Sequence, residues 1–376
     1  MNRIEQLYRE WLSLQPLKQE LQRRMDQQFM FDFNYNSNHL EGNTLTYGQT
    51  KLLLLFGKTE GEALMRDYEE MKAHNVGLEM MKREALDKVR PLSEIFIREL
   101  NHTILAGDFY KLSRNGEYRY KIHAGVYKTR PNSVITPTGE IFDYASPEET
   151  PALMSDLVRW YNEEERKSKL LPIELATLFH YRYIRIHPFE DGNGRISRLL
   201  VNYILYRHGY PMIVIPTTDR NNYLGVLSKC DKVTGSIPFD GANASKEQIQ
   251  PFIDYIANFV EKKLSLVISF AKGEISKFSE SDVIDDVPEK TSDNQELLYK
   301  RKSSVPDNVP DNDISKRHKI IVNFIKMNNK ASATEIAYML KVNSKTIKRD
   351  FQQLKKKGII ERMGGERGGY WKIINQ

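Results

Sequence analysis

The sequence predicts a mainly α-helical body that carries a β-hairpin flap and is followed by a small α+β domain. Three observations lead there. Apolar residues recur at helical spacing through most of residues 1–270. Residues 113–145 break that pattern, with Gly116, Gly125, Pro131, Pro137 and Gly139 set between short β-type runs. Charge then divides the chain. Residues 315–376 carry 15 Lys+Arg against 4 Asp+Glu, residues 279–313 carry 4 against 10, and the remainder is nearly neutral.

A length of 376 residues suits two or three domains. The expected order is an N-terminal helical region (1–90), a helical core (91–278), an acidic flexible linker (279–313) and a basic domain (314–376). The linker repeats Val305-Pro306-Asp307-Asn308 as Val309-Pro310-Asp311-Asn312. No run of about 18 apolar residues occurs, so no membrane partner is expected. MNRIEQLYREW has no signal-peptide core, and the single Cys230 excludes an internal disulfide, so a cytoplasmic location is expected.

Residues 3–31 read as amphipathic helix through Leu7, Trp11, Leu14, Leu17 and Leu21, with Pro16 as an interruption. In Ser37-Asn38-His39-Leu40-Glu41-Gly42-Asn43, a carboxylate ends a short helical turn before a glycine, and spacing alone reads Asn38 and Glu41 as a capping pair. Thr46 or Thr50 opens the next helix. Residues 60–83 form another, and Pro91 and Ser93 open one through Leu100 and Ile104. Pro137-Thr138-Gly139 turns a hairpin between Val134-Ile135 and Ile141-Phe142, and its open edge could hold an extended peptide. Helices over Pro151–Glu165 and from Pro172 lead to His187. After Gly194, the row Ile196, Leu199, Leu200, Tyr203 and Ile204 marks a buried helix face. Arg220–Lys229 and Gln248–Phe270 give two more helices.

Between two of these helices lies HPFEDGNGRISR, residues 187–198. A helix beginning near Gly194 offers unpaired N–H groups and a positive dipole end to an anion. Gly192 and Gly194 let a ligand approach the backbone. Arg195 and Arg198, three residues apart, are expected on one face away from the Ile196/Leu199 row, where two guanidinium groups suit a di- or triphosphate. Asp191 or Glu190 can hold Mg²⁺ together with substrate phosphates. His187 is the candidate general base, since imidazole titrates near neutrality. The string is not a P-loop and contains no kinase signature.

HPFEDGNGRISR resembles the Fic-family signature HxFx[DE]GNGRxxR at every defining position. With the hairpin, the helices and Arg220-Asn221-Asn222-Tyr223-Leu224, the likeness covers roughly residues 1–270. The resemblance implies a helical Fic fold with a flap over the active site. It implies transfer of AMP from Mg-ATP to a Ser, Thr or Tyr hydroxyl of a target protein, with ATP as substrate and Mg²⁺ as cofactor. On that basis His187 takes the hydroxyl proton, Phe189 anchors the loop and Asp191 binds Mg²⁺. Glu190, Gly192, Asn193, Gly194, Arg195 and Arg198 surround the phosphates, while Asn222 and Tyr223 border the adenine pocket. Val134, Ile135 and Thr136 edge the flap that aligns the target peptide.

Ser37–Asn43 is similar to the family's inhibitory motif [ST]xxxE[GN]. This implies that Glu41, with Ser37 at the motif's head, pairs with Arg198 and occupies the guanidinium meant for the γ-phosphate. A de-AMPylating phosphodiesterase on the same site, and a DNA-binding regulator whose body senses a nucleotide, are the alternatives. The target protein is unknown and includes the chain itself through auto-AMPylation. A homodimer is compatible with the sequence.

Residues 317–374 read as a helix, a helix-turn-helix and a hairpin, and resemble a winged helix-turn-helix domain. The resemblance implies DNA as partner, with Ser344, Lys345, Thr346, Lys348 and Arg349 facing the major groove or its phosphates.

Overall fold

The computed structural model describes residues 2–59, 61–112, 118–135 and 141–275 of the body. In the tail it describes residues 318, 321–322, 325, 333, 336–337, 344–363 and 370–374. The expected acidic linker lies outside the described residues, as does Thr136 of the flap. The chain divides into two compact units, Met1–Asp286 and Val287–Gln376.

The body opens with α1 (Asn2–Ser13), which buries Ile4 and Trp11 and stacks Tyr8 on Tyr210 at 4.0 Å. The chain breaks around Pro16, as expected of a residue without an N–H, and resumes as α2 (Gln19–His39). α2 runs well past residue 31, so Ser37 and Asn38 sit in the last turn of a long helix rather than in a short one. Its final turns bury Asn34, Asn36, Ser37 and Asn38, and this polar run hides the helical period in the sequence.

α3 (Tyr47–Phe56) starts at Thr46, not Thr50. Thr46 Oγ1 accepts from the Gln49 N–H at 3.2 Å, and Gln49 Oε1 accepts from the Thr46 N–H at 2.8 Å, which closes a capping box. α4 (Met65–Leu86) and α5 (Glu94–Ile104) follow, with Ser93 Oγ capping α5 through the Phe96 N–H at 3.2 Å.

A first hairpin comes next, its second strand among the β-type runs expected in residues 113–145 and its first strand not expected. β1 (Phe109–Leu112) pairs antiparallel with β2 (Arg119–Ile122), with Lys111 opposite Tyr120. β3 (Val134–Ile135) pairs with β4 (Ile141–Phe142) at the place expected for the flap. Then come α6 (Thr150–Lys167), α7 (Pro172–Ile186), α8 (Asn193–Arg207), α9 (Arg220–Thr234), the short α10 (Pro238–Ala242) and α11 (Gln250–Ala271).

α7 and α8 lie at the centre and bury most of their length. Phe179 and Tyr183 of α7 and Ile196, Leu199, Leu200, Tyr203 and Ile204 of α8 are fully buried in a core that draws on both sides of residue 90. Burying each such aliphatic side chain is worth ~2 kcal/mol of transfer from water. Leu199→Ala would therefore cost about 2–5 kcal/mol once the cavity is counted. Because α2 and α4 cover the other side of α8, Arg195 and Arg198 are buried too, at 3% and 4% exposure. They do not lie on an open face as their spacing suggested.

In the second unit, α12 (Ser344–Lys356) packs Ile347, Phe351 and Leu354 with Ile321, Ile325, Ile336 and Ile360. β5 (Ile360–Met363) pairs antiparallel with β6 (Tyr370–Ile373), and Trp371 covers Phe351 at 4.4 Å.

Candidate active site

His187 ends α7 in the left-handed conformation, with φ 53°. A non-glycine residue holds that conformation at a cost of order 1–3 kcal/mol, so something must fix the loop. The segment Tyr127–Asn132 does so. The Lys128 N–H donates to Pro188 O at 2.8 Å, and Lys128 Nζ donates to Ile186 O at 3.0 Å and Asn132 Oδ1 at 2.8 Å. Asn132 Nδ2 donates to the carbonyls of His187 (3.2 Å) and Phe189 (2.9 Å). Phe189 is buried against Tyr127. Asn193 staples the loop from its other end, since its amide accepts from the Phe189 N–H at 3.0 Å and donates to Phe189 O at 2.6 Å. The Asn193 side chain is therefore committed to loop shape.

The His187 ring stacks on Tyr144 at 4.0 Å. Burial first, and the Lys128 ammonium second, hold its pKa well below the usual value, so the imidazole is neutral and able to accept a proton. Burial also lowers Lys128 itself, to about 7.

The two signature acids point different ways. Glu190 turns to Arg130 Nη2 at 2.6 Å and to Thr129 Oγ1 at 3.1 Å, away from the start of α8. Asp191 faces that start, where its Oδ1 accepts from the Gly192 N–H at 2.7 Å. Lys111 Nζ of β1 contacts Asp191 Oδ2 at 2.9 Å, and Arg195 Nη2 lies 3.5 Å from Oδ1. Burial opposes ionisation of Asp191, but Lys111 and Arg195 outweigh it and hold the carboxyl below its usual range. One ionised, partly open carboxylate beside the N-terminus of α8 fits Mg²⁺, which takes few protein ligands and completes its shell with phosphate and water. Asp191 is the residue that would hold it.

α8 is capped by Gly192 at φ 84°, and its first N–H groups have no acceptor within the helix. A methyl on Gly194 would overlap Glu41 Oε1, so the carboxylate rests directly against the first turn of α8 and could stay there only by shifting. The Glu41 carboxylate thus lies over the helix N-terminus, where an anionic ligand would sit. Arg198 Nη2 donates to Glu41 Oε1 at 2.7 Å and to Ser37 O at 2.8 Å, and its Nε donates to Ser37 Oγ at 3.1 Å. The Arg198 guanidinium is buried, while the Glu41 side chain is 41% exposed. Asn38, the expected capping partner of Glu41, sends its amide to Asn34 O and Met71 Sδ instead.

Tyr223 is buried against His180, hydroxyl to Nε2 at 2.7 Å. Asn222 is exposed and bonded to Asp219 at 2.6 Å, so the structure does not bring it to the loop. Val134 and Ile135 form β3. Lys111, Lys128, Arg130, Asn132 and Tyr144 were not singled out in the sequence. The run Lys128-Thr129-Arg130 before a proline was the only signal near them.

Residues 91–205 match the model of the Fic/DOC family, and residues 317–370 match that of the DeoR-like helix-turn-helix domain. A Fic domain containing signaling protein from Bacteroides thetaiotaomicron, solved as a crystal structure, is 60% identical. The match covers 74% of this chain and 99% of that one, with a TM-score of 0.70. The chain belongs to the Fic/DOC family. Fic-1 from C. elegans is 26% identical, over 73% of each chain, with a TM-score of 0.57. The protein adenylyltransferase Fic of Drosophila yakuba is 30% identical over 252 residues, 65% of this chain. The chain spans 43% of the length of that curated relative. This Fic protein thus has a mainly helical body with two small hairpins, and it carries a C-terminal DeoR-like helix-turn-helix domain. Lys345, Lys348 and Arg349 are exposed on α12, whereas Thr346 is half-buried and Ser344 opens the helix. Among the described residues, no helix is long and apolar enough to cross a membrane.

Proposed function

We propose that this Fic protein is a protein adenylyltransferase held in check by its own Glu41. The observation that carries this reading is the Glu41–Arg198 contact at 2.7 Å, made over the N-terminus of α8 beside a neutral His187. Arg198 and the α8 N–H groups bind the triphosphate of ATP, and Arg195 adds a second cation. The neutral His187 imidazole accepts the proton of a Ser, Thr or Tyr hydroxyl on the target. The hydroxyl oxygen then attacks the α-phosphorus, the bond to the bridging oxygen breaks, and pyrophosphate leaves with the electron pair. Mg²⁺ held by Asp191 would offset the charge that develops on the phosphates. Glu41 blocks this by holding the guanidinium that must grip the γ-phosphate and by occupying the anion position itself.

The half-exposed Glu41 carboxylate beside the same cradle also suits the reverse reaction, in which it would orient a water against an AMP-modified protein. The exposed cations of α12 support DNA as the partner of the tail. The test is intact-mass measurement after incubation with Mg-ATP. Expected is a gain of one AMP in Glu41→Gly, little in the wild type and none in Glu41→Gly/His187→Ala. No gain in Glu41→Gly, alone or with candidate targets, would refute the forward reading. Loss of AMP from a modified target, catalysed by the wild type and not by Glu41→Gly, would favour the reverse one.

A further inference from the structure

The β1–β2 hairpin is built as a bracket for both signature acids. Its base is pinned, since Asp108 takes Lys121 Nζ at 3.0 Å and the Ala124 N–H at 2.9 Å. Asn101, fully buried, ties that same base to the loop. Its Oδ1 accepts from the Gly125 N–H at 2.9 Å and its Nδ2 donates to Asp191 O at 3.0 Å. The hairpin's position relative to Asp191 is thus fixed through one side chain. Cross-strand neighbours Lys111 and Tyr120 then serve the two acids. Tyr120 lies under the Arg130 guanidinium at 4.0 Å, and Arg130 holds Glu190. Lys111 reaches Asp191 directly at 2.9 Å.

The two cations differ in kind. Arg130 is locked by its ring contact, by Lys121 O at 3.0 Å and by Glu190. Lys111 makes one described polar contact, is 44% exposed and ends in a flexible four-carbon stem. It neutralises a carboxylate that is only 18% exposed.

We propose that Lys111 is an exchangeable stand-in for the metal at Asp191 and a phosphate-binding residue of the nucleotide site. This rests on the adenylyl-transfer reading of the same site. Without nucleotide the ammonium satisfies Asp191 and keeps a free divalent cation off it. When a metal–triphosphate arrives, Asp191 passes to the metal and Lys111 turns to the phosphate oxygens. The site therefore favours metal delivered with nucleotide over metal alone.

The full chain, as wild type, Lys111→Met and Asp191→Ala, tests this in two arms. In the first, Mn²⁺ is titrated into nucleotide-free protein and followed by electron paramagnetic resonance, with Asp191→Ala as background. Lys111→Met should bind Mn²⁺ at the Asp191 site about fivefold more tightly than the wild type. In the second, a non-hydrolysable ATP analogue and AMP are titrated in the presence of Mg²⁺. Lys111→Met should lose about fivefold in affinity for the ATP analogue and none for AMP.

The opposite signs separate this role from a structural one, which would weaken all three ligands. Unchanged or weaker Mn²⁺ binding in Lys111→Met, no Asp191-dependent Mn²⁺ binding in either protein, or equal losses for ATP analogue and AMP would each overturn the proposal. Both arms read binding. The expected binding results in a protein that never transfers AMP would keep the role of Lys111 and remove the transfer reading. Transfer without them would do the reverse.

Discussion

Replacing Glu41 with glycine probes the contact on which the proposed regulation depends. Arg198 is held by three hydrogen bonds: two to Ser37, at 2.8 and 3.1 Å, and one to Glu41, at 2.7 Å. The substitution removes only the last, and it is the one with charge on both partners. A charged hydrogen bond contributes about 1.5–3 kcal/mol, and the 41% exposure of Glu41 places this one at the low end, ~1.5 kcal/mol. That is about a tenfold change in an equilibrium constant. The two Ser37 bonds keep the guanidinium aimed at the start of α8, so the variant should gain a free Arg198 without misplacing it. Incorporation of label from α-labelled ATP should rise about tenfold or more. Glu41→Gln keeps the shape and loses the charge, and should fall between wild type and glycine. A rate in Glu41→Gly no higher than the wild type's, with His187 intact and ATP binding shown by titration, would refute the reasoning.

Gly194→Ala places a methyl where Glu41 Oε1 lies, and the same methyl would crowd a phosphate taking that carboxylate's place, so ATP binding should weaken in the wild type and in the Glu41→Gly background alike, as isothermal titration would show. Burial lowers His180 and His187 to about 3 in the folded state, against about 6.5 unfolded. Such lowered values stabilise the fold fully above pH 6.5, and the stability is lost as pH falls from 6.5 towards 3. The free energy of unfolding should drop across that window by up to about 1.4 kcal/mol per pH unit for each histidine, the Tm should fall with it, and His180→Gln should flatten the slope. For the same reason, the acid limb of kcat/KM in Glu41→Gly should lie below pH 6.5. In the tail, Lys345→Ala and Lys348→Ala should weaken binding to a random duplex and each reduce the salt slope by about one, read by gel retardation across a salt series.

The residues contiguous in sequence were the legible ones. His187–Arg198 could be read because one loop and one helix start carry the whole signature, and Thr46, Ser93 and Pro172 announced their helices through local capping chemistry. The buried state of Arg195 and Arg198 was not legible. It depends on α2 and α4, whose inward faces mix Asn34, Asn36, Ser37, Asn38 and His74 with their apolar residues. Lys111, Lys128 and Asn132 were missed for a related reason. Each is an ordinary polar residue on a strand or loop, 55–80 residues from its partner, and only the hairpin and the Tyr127–Asn132 segment bring it to the site. Asn222 stands at a position expected to meet the nucleotide but faces away, because the turn Thr217–Asp219 takes its amide.

The turn that carries Glu41 has a consequence for the resting protein. Leu40, Glu41 and Gly42 follow the end of α2, and their N–H groups are bonded back to Asn36, Asn38 and His39. The helix behind them is fixed by Asn34 to Asn75 and by Asn36 to Thr217. The post is fixed, and only the Glu41 side chain has to turn for the guanidinium to be released. A latch of this size, biased by ~1.5 kcal/mol, stands open in roughly one molecule in ten at any moment. On the proposed function the resting protein would then be a slow enzyme rather than a silent one. Its background rate would be set by a single carboxylate, and a modest rise in ATP would compete directly with that carboxylate for the same guanidinium.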